Sequence, residues 1–200
     1  MIPVLTIDGP SGVGKGTVAN IMAHELNWNL LDSGAIYRAF ALAASKRNIQ
    51  IDSTVELLKL AANLDLRFES DSSNNKLSVY LDNVEVSAGL RTEETAELAS
   101  KFAMIGPLRK SLLLRQQKFR QPPGLVADGR DMGTVVFEDA PFKVFLTANV
   151  KERAQRRLKQ LQDKGIAGIL SQTLKEVQKR DERDASRKHS PLKPSKDALV

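Results

Sequence analysis

Nine residues near the N-terminus constrain the fold most: Gly9-Pro10-Ser11-Gly12-Val13-Gly14-Lys15-Gly16-Thr17. They follow an apolar run and precede a helical pattern, which is the strand–turn–helix context of a phosphate-binding loop. The glycines let backbone N–H groups point at an anion, and the next helix adds the positive end of its dipole. Lys15 supplies a mobile cation for the outer phosphates. Because a turn without a ligand needs neither the spaced glycines nor the lysine, the stretch predicts a bound nucleotide.

Composition excludes several other classes of protein. The 200 residues are 42% hydrophobic, which suits one domain with a single core and inserted lobes. No apolar run reaches the roughly 18 residues of a membrane span, and the N-terminus lacks a secretory pattern. The absence of cysteine excludes disulfides and thiolate metal sites. We therefore expect a cytoplasmic protein without a membrane partner.

The positive charge is concentrated in one segment. Residues 151–196 carry 14 Lys and Arg against 6 Asp and Glu, whereas the whole chain has a net charge of only +6. No aromatic residues interleave with these arginines, which weakens the case for a platform that stacks single-stranded nucleic acid. A basic lobe over a polyphosphate is the better interpretation, and no nucleic-acid partner is expected.

The order of apolar patterns predicts an α/β fold. Short buried-type strands near residues 4–7, 30–31, 125–127 and 143–147 alternate with helices, which predicts a mostly parallel sheet flanked by helices in three layers. Between them, alternating apolar residues near 66–68, 77–81 and 84–86 predict three short antiparallel strands, an inserted lobe. Two arginine-rich helices after residue 150 predict a lid.

Polar turns follow three of the strands, and parallel strands place ligands at their carboxyl ends. These turns are Gly9–Thr17, Asp32-Ser33-Gly34 and Asp128-Gly129-Arg130-Asp131. Arg38, one turn beyond Ser33, could grip a second phosphate, although alone it would suit a solvated helix face. Asp128 could help to order Mg²⁺ or could cap the amides of its own loop. The turns predict a second phosphorylated ligand beside the nucleotide.

Arginines on the last two helices share faces. Arg153 and Arg157 are one turn apart, and Arg180, Asp184 and Arg187 follow at i, i+4 and i+7. Surface helices with exposed salt bridges are the alternative, but two such helices around a glycine-containing hinge favour a lid. No Ser/His/Asp or cysteine nucleophile is evident, so the chemistry would rest on positioning and charge, as in phosphoryl transfer.

Four stretches together resemble the family of bacterial cytidylate kinases. They are the Gly9–Thr17 loop, Leu31-Asp32-Ser33-Gly34-Ala35-Ile36-Tyr37-Arg38, Asp128-Gly129-Arg130-Asp131-Met132-Gly133-Thr134-Val135-Val136 and Arg180-Asp181-Glu182-Arg183-Asp184. The hydroxyl of Thr17 falls one place later than in the Walker pattern, and Gly-Lys-Gly-Thr is the form of nucleoside monophosphate kinases. The resemblance covers nearly the whole chain. It implies a single P-loop kinase domain with its core at about 1–62, 88–150 and 188–200, a monophosphate-binding lobe at 63–87 and a lid at 151–187.

The resemblance also implies an activity and roles for individual residues. The family transfers the γ-phosphoryl group of ATP to CMP or dCMP with Mg²⁺. Gly9–Thr17 would hold the ATP phosphates, with Thr17 and Asp128 at the metal. On the acceptor, the residues expected at the base and its surroundings are Ser33, Arg187, Ser100 and Asp184. Asp131 would contact the sugar. The residues expected at the phosphate are Arg38, Arg109, Arg130 and Arg180. Arg153 and Arg157 would close over ATP. The groups expected to act in catalysis are Lys15, Arg130, Arg153, Arg157 and Arg180.

Three further expectations complete this reading. Family members usually continue past the position of Val200 through a strand and a helix, so we expect one sheet edge and some adenine contacts to be reduced. The alternatives are the same fold acting on UMP or AMP, and a nucleotide-gated RNA-binding module that uses the basic segment. We expect a monomer.

Overall fold

The computed structural model describes residues 1–71, 76–163 and 165–200. Contacts divide the chain into two compact units. We call Met1–Leu31 with Phe119–Val200 the phosphate-loop unit, and Asp32–Lys118 the helical unit.

Strands and helices alternate along most of the chain. The strands are β1 (Val4–Asp8), β2 (Asn29–Asp32), β3 (Leu66–Asp71), β4 (Lys76–Leu81), β5 (Val84–Glu85), β6 (Leu125–Asp128) and β7 (Phe142–Phe145). The helices are α1 (Lys15–Leu26), α2 (Ser33–Lys46), α3 (Thr54–Ala62), α4 (Glu93–Phe102), α5 (Gly106–Gln117), α6 (Val150–Gln162) and α7 (Leu170–Ala185).

A sheet with parallel pairing forms the centre of the phosphate-loop unit. Within the described residues its strand order is β2-β6-β1-β7, and β1 runs parallel to both β6 and β7. The register pairs Ile7 with Asp128, so the carboxyl ends of β1 and β6 lie side by side. The loop after β1 and the turn after β6 therefore begin next to each other, as the sequence predicts for these two segments.

The core of this unit lies between the sheet and α1. Ile7 and Val126 are buried on the strands and pack with Ala19 and Ala23 of the helix. Small residues at a four-residue spacing place α1 close to the sheet. Trp28 packs against the same cluster.

Helices and a small antiparallel sheet form the helical unit. Within the described residues the sheet has the order β3-β4-β5, with both pairs antiparallel, as predicted. Helix α2 is rich in buried alanines, which allow close approach of neighbouring helices. Phe40 on α2 meets Phe102 on α4 edge to face, with 5.3 Å between ring centroids. With the parallel sheet, these elements confirm the predicted α/β class.

Helix starts differ in how they are capped. Asn149 caps α6, and its side chain accepts a hydrogen bond from the backbone N–H of Lys151. Ser53 precedes α3, but its side chain makes no capping hydrogen bond. In the described parts of the chain, no helix combines the length and apolar character needed to cross a membrane.

Candidate functional site

The Gly9–Thr17 loop makes a close turn against β7. A Cβ atom on Gly9 would lie 2.1 Å from the carbonyl oxygen of Leu146, so only glycine fits there. The backbone N–H of Leu146 in turn donates to the carbonyl of Asp8 at 2.8 Å. Within the loop, Gly14 has a left-handed backbone, and α1 begins at the next residue, Lys15. The amides at that helix start are the expected anion-binding groups.

Lys15 is held over this loop. It is only 6% exposed, and its Nζ donates to the carbonyl of Pro10 at 2.9 Å. The carboxylate of Asp128, at the end of β6, lies 3.9 Å from the same nitrogen. The cation is thus positioned between the turn and the adjacent strand end, where a phosphate could meet it.

Asp8 is a buried carboxylate that the sequence reasoning missed. It is 4% exposed, and its two oxygens accept backbone N–H groups from Met132 and Gly133, each at 2.8 Å. Burial raises the pKa of Asp8 to about 6, against the opposing effect of these hydrogen bonds. Asp8 therefore ties the end of β1 to the segment that follows the Asp128–Asp131 turn. A carboxylate ending an apolar strand directly before Gly9 was the available signal.

That following segment is a π-helical turn, Met132–Val136, which the sequence does not predict. The carbonyl of Asp131 accepts N–H groups from Val135 and Val136 at 2.9 and 3.1 Å. Asp131 itself is 3% exposed. A π-helical turn of this kind is frequent at functional sites.

Asp184 is the centre of a charged cluster. Arg130 donates its Nε–H to Asp184 at 2.9 Å, and Arg187 donates to the other carboxylate oxygen. Burial favours the neutral form of Asp184, but Arg130, Arg187 and Arg180 outweigh it and hold its pKa below the ordinary value. Asp128 and Asp8 also interact with Arg130, so other carboxylates share the positive charge around Asp184. Arg180 and Asp184 lie on α7, but this helix ends at Ala185, so Arg187 reaches Asp184 from beyond the helix and does not share its face as predicted.

Arg153 connects the phosphate loop with the last helix. It is 5% exposed and forms a bidentate ion pair with Asp181, with N–O distances of 3.1 and 2.6 Å. The same guanidinium donates to the carbonyl of Ser11 at 3.1 Å. Arg157, one turn along α6, is half-buried and donates to Gln160 at 3.3 Å. Arg153 thus ties the start of α6 to the phosphate loop and to α7.

Asp128 places a carboxylate oxygen close to the first turn of α1. One of its carboxylate oxygens lies 3.4 Å from the position that a Cβ of Gly16 would take. Thr17 follows on the exposed side of this turn. A carboxylate beside a hydroxyl-bearing helix turn suits Mg²⁺, which takes few protein oxygens and completes its shell with water and phosphate. The described residues contain no cluster of three or more candidate metal-binding side chains.

In the helical unit, Asp32 and Arg38 form an ion pair at the start of α2. One oxygen of Asp32 caps the helix by accepting the N–H of Ala35 at 2.8 Å, and the other accepts from Arg38 at 3.0 Å. A Cβ on Gly34 would lie 3.0 Å from Asp32 and 3.2 Å from Arg38, so glycine leaves room for this pair. Ser33 and Gly34 are therefore the first residues of a helix, whereas the sequence reading placed them in a turn.

Ser33, Ser100 and Arg109 are all buried in this unit. The hydroxyl of Ser33 lies 2.6 Å from Oε1 of Gln116. The guanidinium of Arg109 stacks on Tyr37, 5.6 Å from the ring centroid, and donates to the carbonyl of Ala103 at 3.3 Å. Ser100 has no hydrogen-bond partner among the described residues. Gln116 was missed, because no motif surrounds it.

Comparison with known proteins identifies the family. A family model described as cytidylate kinase matches residues 5–200. The chain belongs to the cytidylate kinase family. It is 55% identical to a cytidylate kinase of Aeromonas salmonicida (strain A449), over 100% of this chain and 86% of the relative. It is 54% identical to a cytidylate kinase of Enterobacter sp. (strain 638), over 99% of this chain and 86% of the relative. The resemblance stated from the motifs is thus confirmed.

Proposed function

We propose that the protein phosphorylates CMP with ATP, and that dCMP is a second acceptor. An oxygen of the acceptor phosphate forms a bond to the γ-phosphorus of ATP, the bond from that phosphorus to the β–γ bridging oxygen breaks, and CDP and ADP result. No covalent enzyme intermediate is needed. The observation that carries the proposal is the joint presence, within one unit of a cytidylate kinase family member, of the Lys15 loop and the arginine cluster at Asp184.

For the donor, we assign Gly9–Thr17 to the ATP phosphates. The support is the glycine-only approach at Gly9, the helix start at Gly14 and the fixed cation of Lys15. Positioned N–H groups and a cation stabilise the charge that develops on the leaving phosphate oxygens.

For the acceptor, we assign Arg130 and Arg180 to its phosphate, Asp131 to its sugar, and Asp184 and Arg187 to the base side. The three arginines that act on Asp184, which are Arg130, Arg187 and Arg180, support the phosphate assignment. Arginine forks bind phosphate in two-point contacts, and a carboxylate accepts from ribose hydroxyls.

In the helical unit we assign Arg38 and Arg109 to the acceptor phosphate, and Ser33 and Ser100 to the base. Arg38 is held by its ion pair with Asp32, Arg109 by stacking on Tyr37, and Ser33 by its hydrogen bond to Gln116. Held side chains lose less freedom on binding, which favours affinity. The three-stranded sheet lies within the range 63–87 that we propose as the monophosphate-binding lobe.

We propose that the lid comprises residues 151–187 and that Arg153 and Arg157 act on ATP from it. Arg153 supports this because it already contacts the loop at Ser11. Exclusion of water matters, since water competes with CMP for the phosphoryl group.

A monomeric state stays a prediction.

For magnesium, we assign Thr17 and Asp128 as protein ligands. The approach of Asp128 to the first turn of α1 supports them. Bound Mg²⁺ would neutralise charge on the β- and γ-phosphate oxygens. The chain's own contribution is to orient the phosphates through the loop amides and Lys15.

The test is ATP consumption with CMP, dCMP, UMP, AMP or no acceptor, with CDP identified among the products. We expect turnover that depends on CMP and on Mg²⁺, with weaker use of UMP and AMP. Equal rates with and without CMP would contradict the proposal and indicate an ATPase. Dominant turnover of UMP or AMP would instead support the alternative acceptor.

A further inference from the structure

The buried pair of Ser33 and Gln116 joins two helices that are far apart in sequence. Ser33 is the first residue of α2 and is 5% exposed, while Gln116 lies near the end of α5 and is 2% exposed. Their side-chain oxygens are 2.6 Å apart. Two oxygens at this distance require one proton between them, so one group donates and the other accepts.

The orientation of the Gln116 amide settles which group donates. Its Nε2 lies 3.4 Å from the carbonyl oxygen of Leu112, an acceptor that only the amide nitrogen can serve. Oε1 therefore faces Ser33, and a carbonyl oxygen has no proton to give. The hydroxyl of Ser33 must donate, and it has a single proton. Its remaining capacity is to accept.

We propose that Gln116 is a positioning residue that makes the Ser33 hydroxyl an acceptor-only group, and thereby selects a pyrimidine with a 4-amino group over one with a 4-keto group. This inference rests on the proposed function, in which Ser33 contacts the base. Cytosine presents N–H donors at position 4, which suit an acceptor. Uracil presents a carbonyl oxygen there, and two acceptors would face each other.

Without Gln116, the Ser33 hydroxyl could either donate a hydrogen bond to the base or accept one from it. A serine hydroxyl rotates freely to suit its partner and can donate as readily as it accepts. Ser33 alone would therefore tolerate either base. A buried hydroxyl that can only accept rejects uracil more strongly, because it is left without a hydrogen bond when uracil binds.

The experiment measures kcat/KM for CMP and for UMP in the full chain and in Gln116→Met. Methionine has a similar length and no acceptor oxygen. The Ser33 hydroxyl then no longer donates to residue 116, and its proton becomes available to the base. We expect the CMP-to-UMP ratio to fall about tenfold, mainly through improved UMP use. Gln117→Met is the matched control, since Gln117 is the next residue of α5 and is exposed. The control should keep the wild-type ratio.

A double-mutant cycle shows whether Gln116 acts through Ser33. In a Ser33→Ala background, Gln116→Met should no longer change the ratio. A change of equal size in both backgrounds would overturn the proposal. So would a Gln116→Met enzyme whose rates fall for both nucleotides at a constant ratio, since that result describes a purely structural residue.

Gln116→Glu is a second variant that keeps an acceptor oxygen towards Ser33. We expect it to retain the CMP preference even if its melting temperature falls, and loss of that preference in a folded Gln116→Glu enzyme would overturn the proposal. Wild-type turnover separates the two hypotheses. Absence of CMP turnover would refute the proposed function, whereas CMP turnover with an unchanged ratio in Gln116→Met would refute only the role of Gln116.

Discussion

The two units hold several of their candidate site residues by different physical means. In the phosphate-loop unit, charged side chains are fixed by opposite charges and carbonyls, as at Arg153 with Asp181 and Arg130 with Asp184. In the helical unit Arg38 is also paired with a carboxylate, but Ser33 is a neutral hydroxyl fixed by a buried hydrogen bond to Gln116 between two helices. Removing one member of a buried ion pair is costly, because its partner is left as a buried charge without compensation. Replacing a neutral polar group lowers the free energy of unfolding by less.

Asp184→Asn should give the largest effect, and it tests the charged side of the comparison. Removing the carboxylate breaks the buried ion pairs of Asp184 with Arg130 and Arg187, so we expect the free energy of unfolding to fall by about 3–5 kcal/mol. Urea denaturation measures it. Asp139→Asn is the control, because Asp139 pairs with Arg120 at 2.7 Å but is 50% exposed. That control should cost less than about 1 kcal/mol. Equal losses would break the comparison.

The Asp184 contribution should also depend on pH in a defined direction. Its pKa is lowered in the folded protein from 3.8, so its stabilisation is complete above about pH 4. It is lost as the pH falls through the lowered folded value. The difference in unfolding free energy between wild type and Asp184→Asn should therefore shrink only in acid.

Lys15→Ala should follow, with its main effect on the reaction rate. The loop loses the cation that faces the phosphates, and we expect kcat to fall by about 10²–10³-fold, as for loss of one group that stabilises transition-state charge. The protein should still fold, with a lower melting temperature because Lys15 is 6% exposed and lies 3.9 Å from the carboxylate of Asp128. Lys159→Ala, an exposed change on α6, is the control. Near-normal turnover in Lys15→Ala would contradict the phosphate assignment.

Asp8→Asn separates the buried carboxylate from the ion pairs around it. Because the pKa of Asp8 is raised to about 6, the folded state holds a proton that the unfolded state releases above pH 3.8. Wild-type stability therefore falls as the pH rises from about 4 to 6, by up to about 3 kcal/mol, and then levels. Asp8→Asn should remove this slope. A parallel pH dependence in both proteins, measured by urea denaturation, would rule out Asp8 as its source.

The sequence predicts those parts of the site that depend on neighbouring residues. The Gly9–Thr17 loop and the spacing of Arg180 and Asp184 are local patterns, and the fold class follows from the alternation of strands and helices. The Ser33–Gln116 contact spans 83 positions and the Asp8–Met132 contact spans 124, so no local spacing reveals them. The π-helical turn after Asp131 escaped prediction for the same reason, because a distant carboxylate binds its amides.

Ser100→Ala should have the smallest effect on stability, and its sign sharpens the comparison. The Oγ of Ser100 is buried and has no hydrogen-bond partner among the described residues, so it costs free energy in the folded state. Alanine removes that cost, and we expect the free energy of unfolding to stay equal or to rise by about 1 kcal/mol. If Ser100 contacts the base of CMP, the KM for CMP should rise several-fold while the KM for ATP stays constant.

Ser45→Ala, on the exposed end of α2, is the matched control and should change neither quantity. Thermal melting and initial rates at varied CMP measure both. A destabilised Ser100→Ala enzyme with an unchanged KM for CMP would make Ser100 a packing residue, and neutral groups in the helical unit would then matter for folding as charges do in the phosphate-loop unit. A more stable enzyme with a raised KM would show the reverse, that the unit keeps an unsatisfied hydroxyl at some cost in stability because its substrate satisfies it.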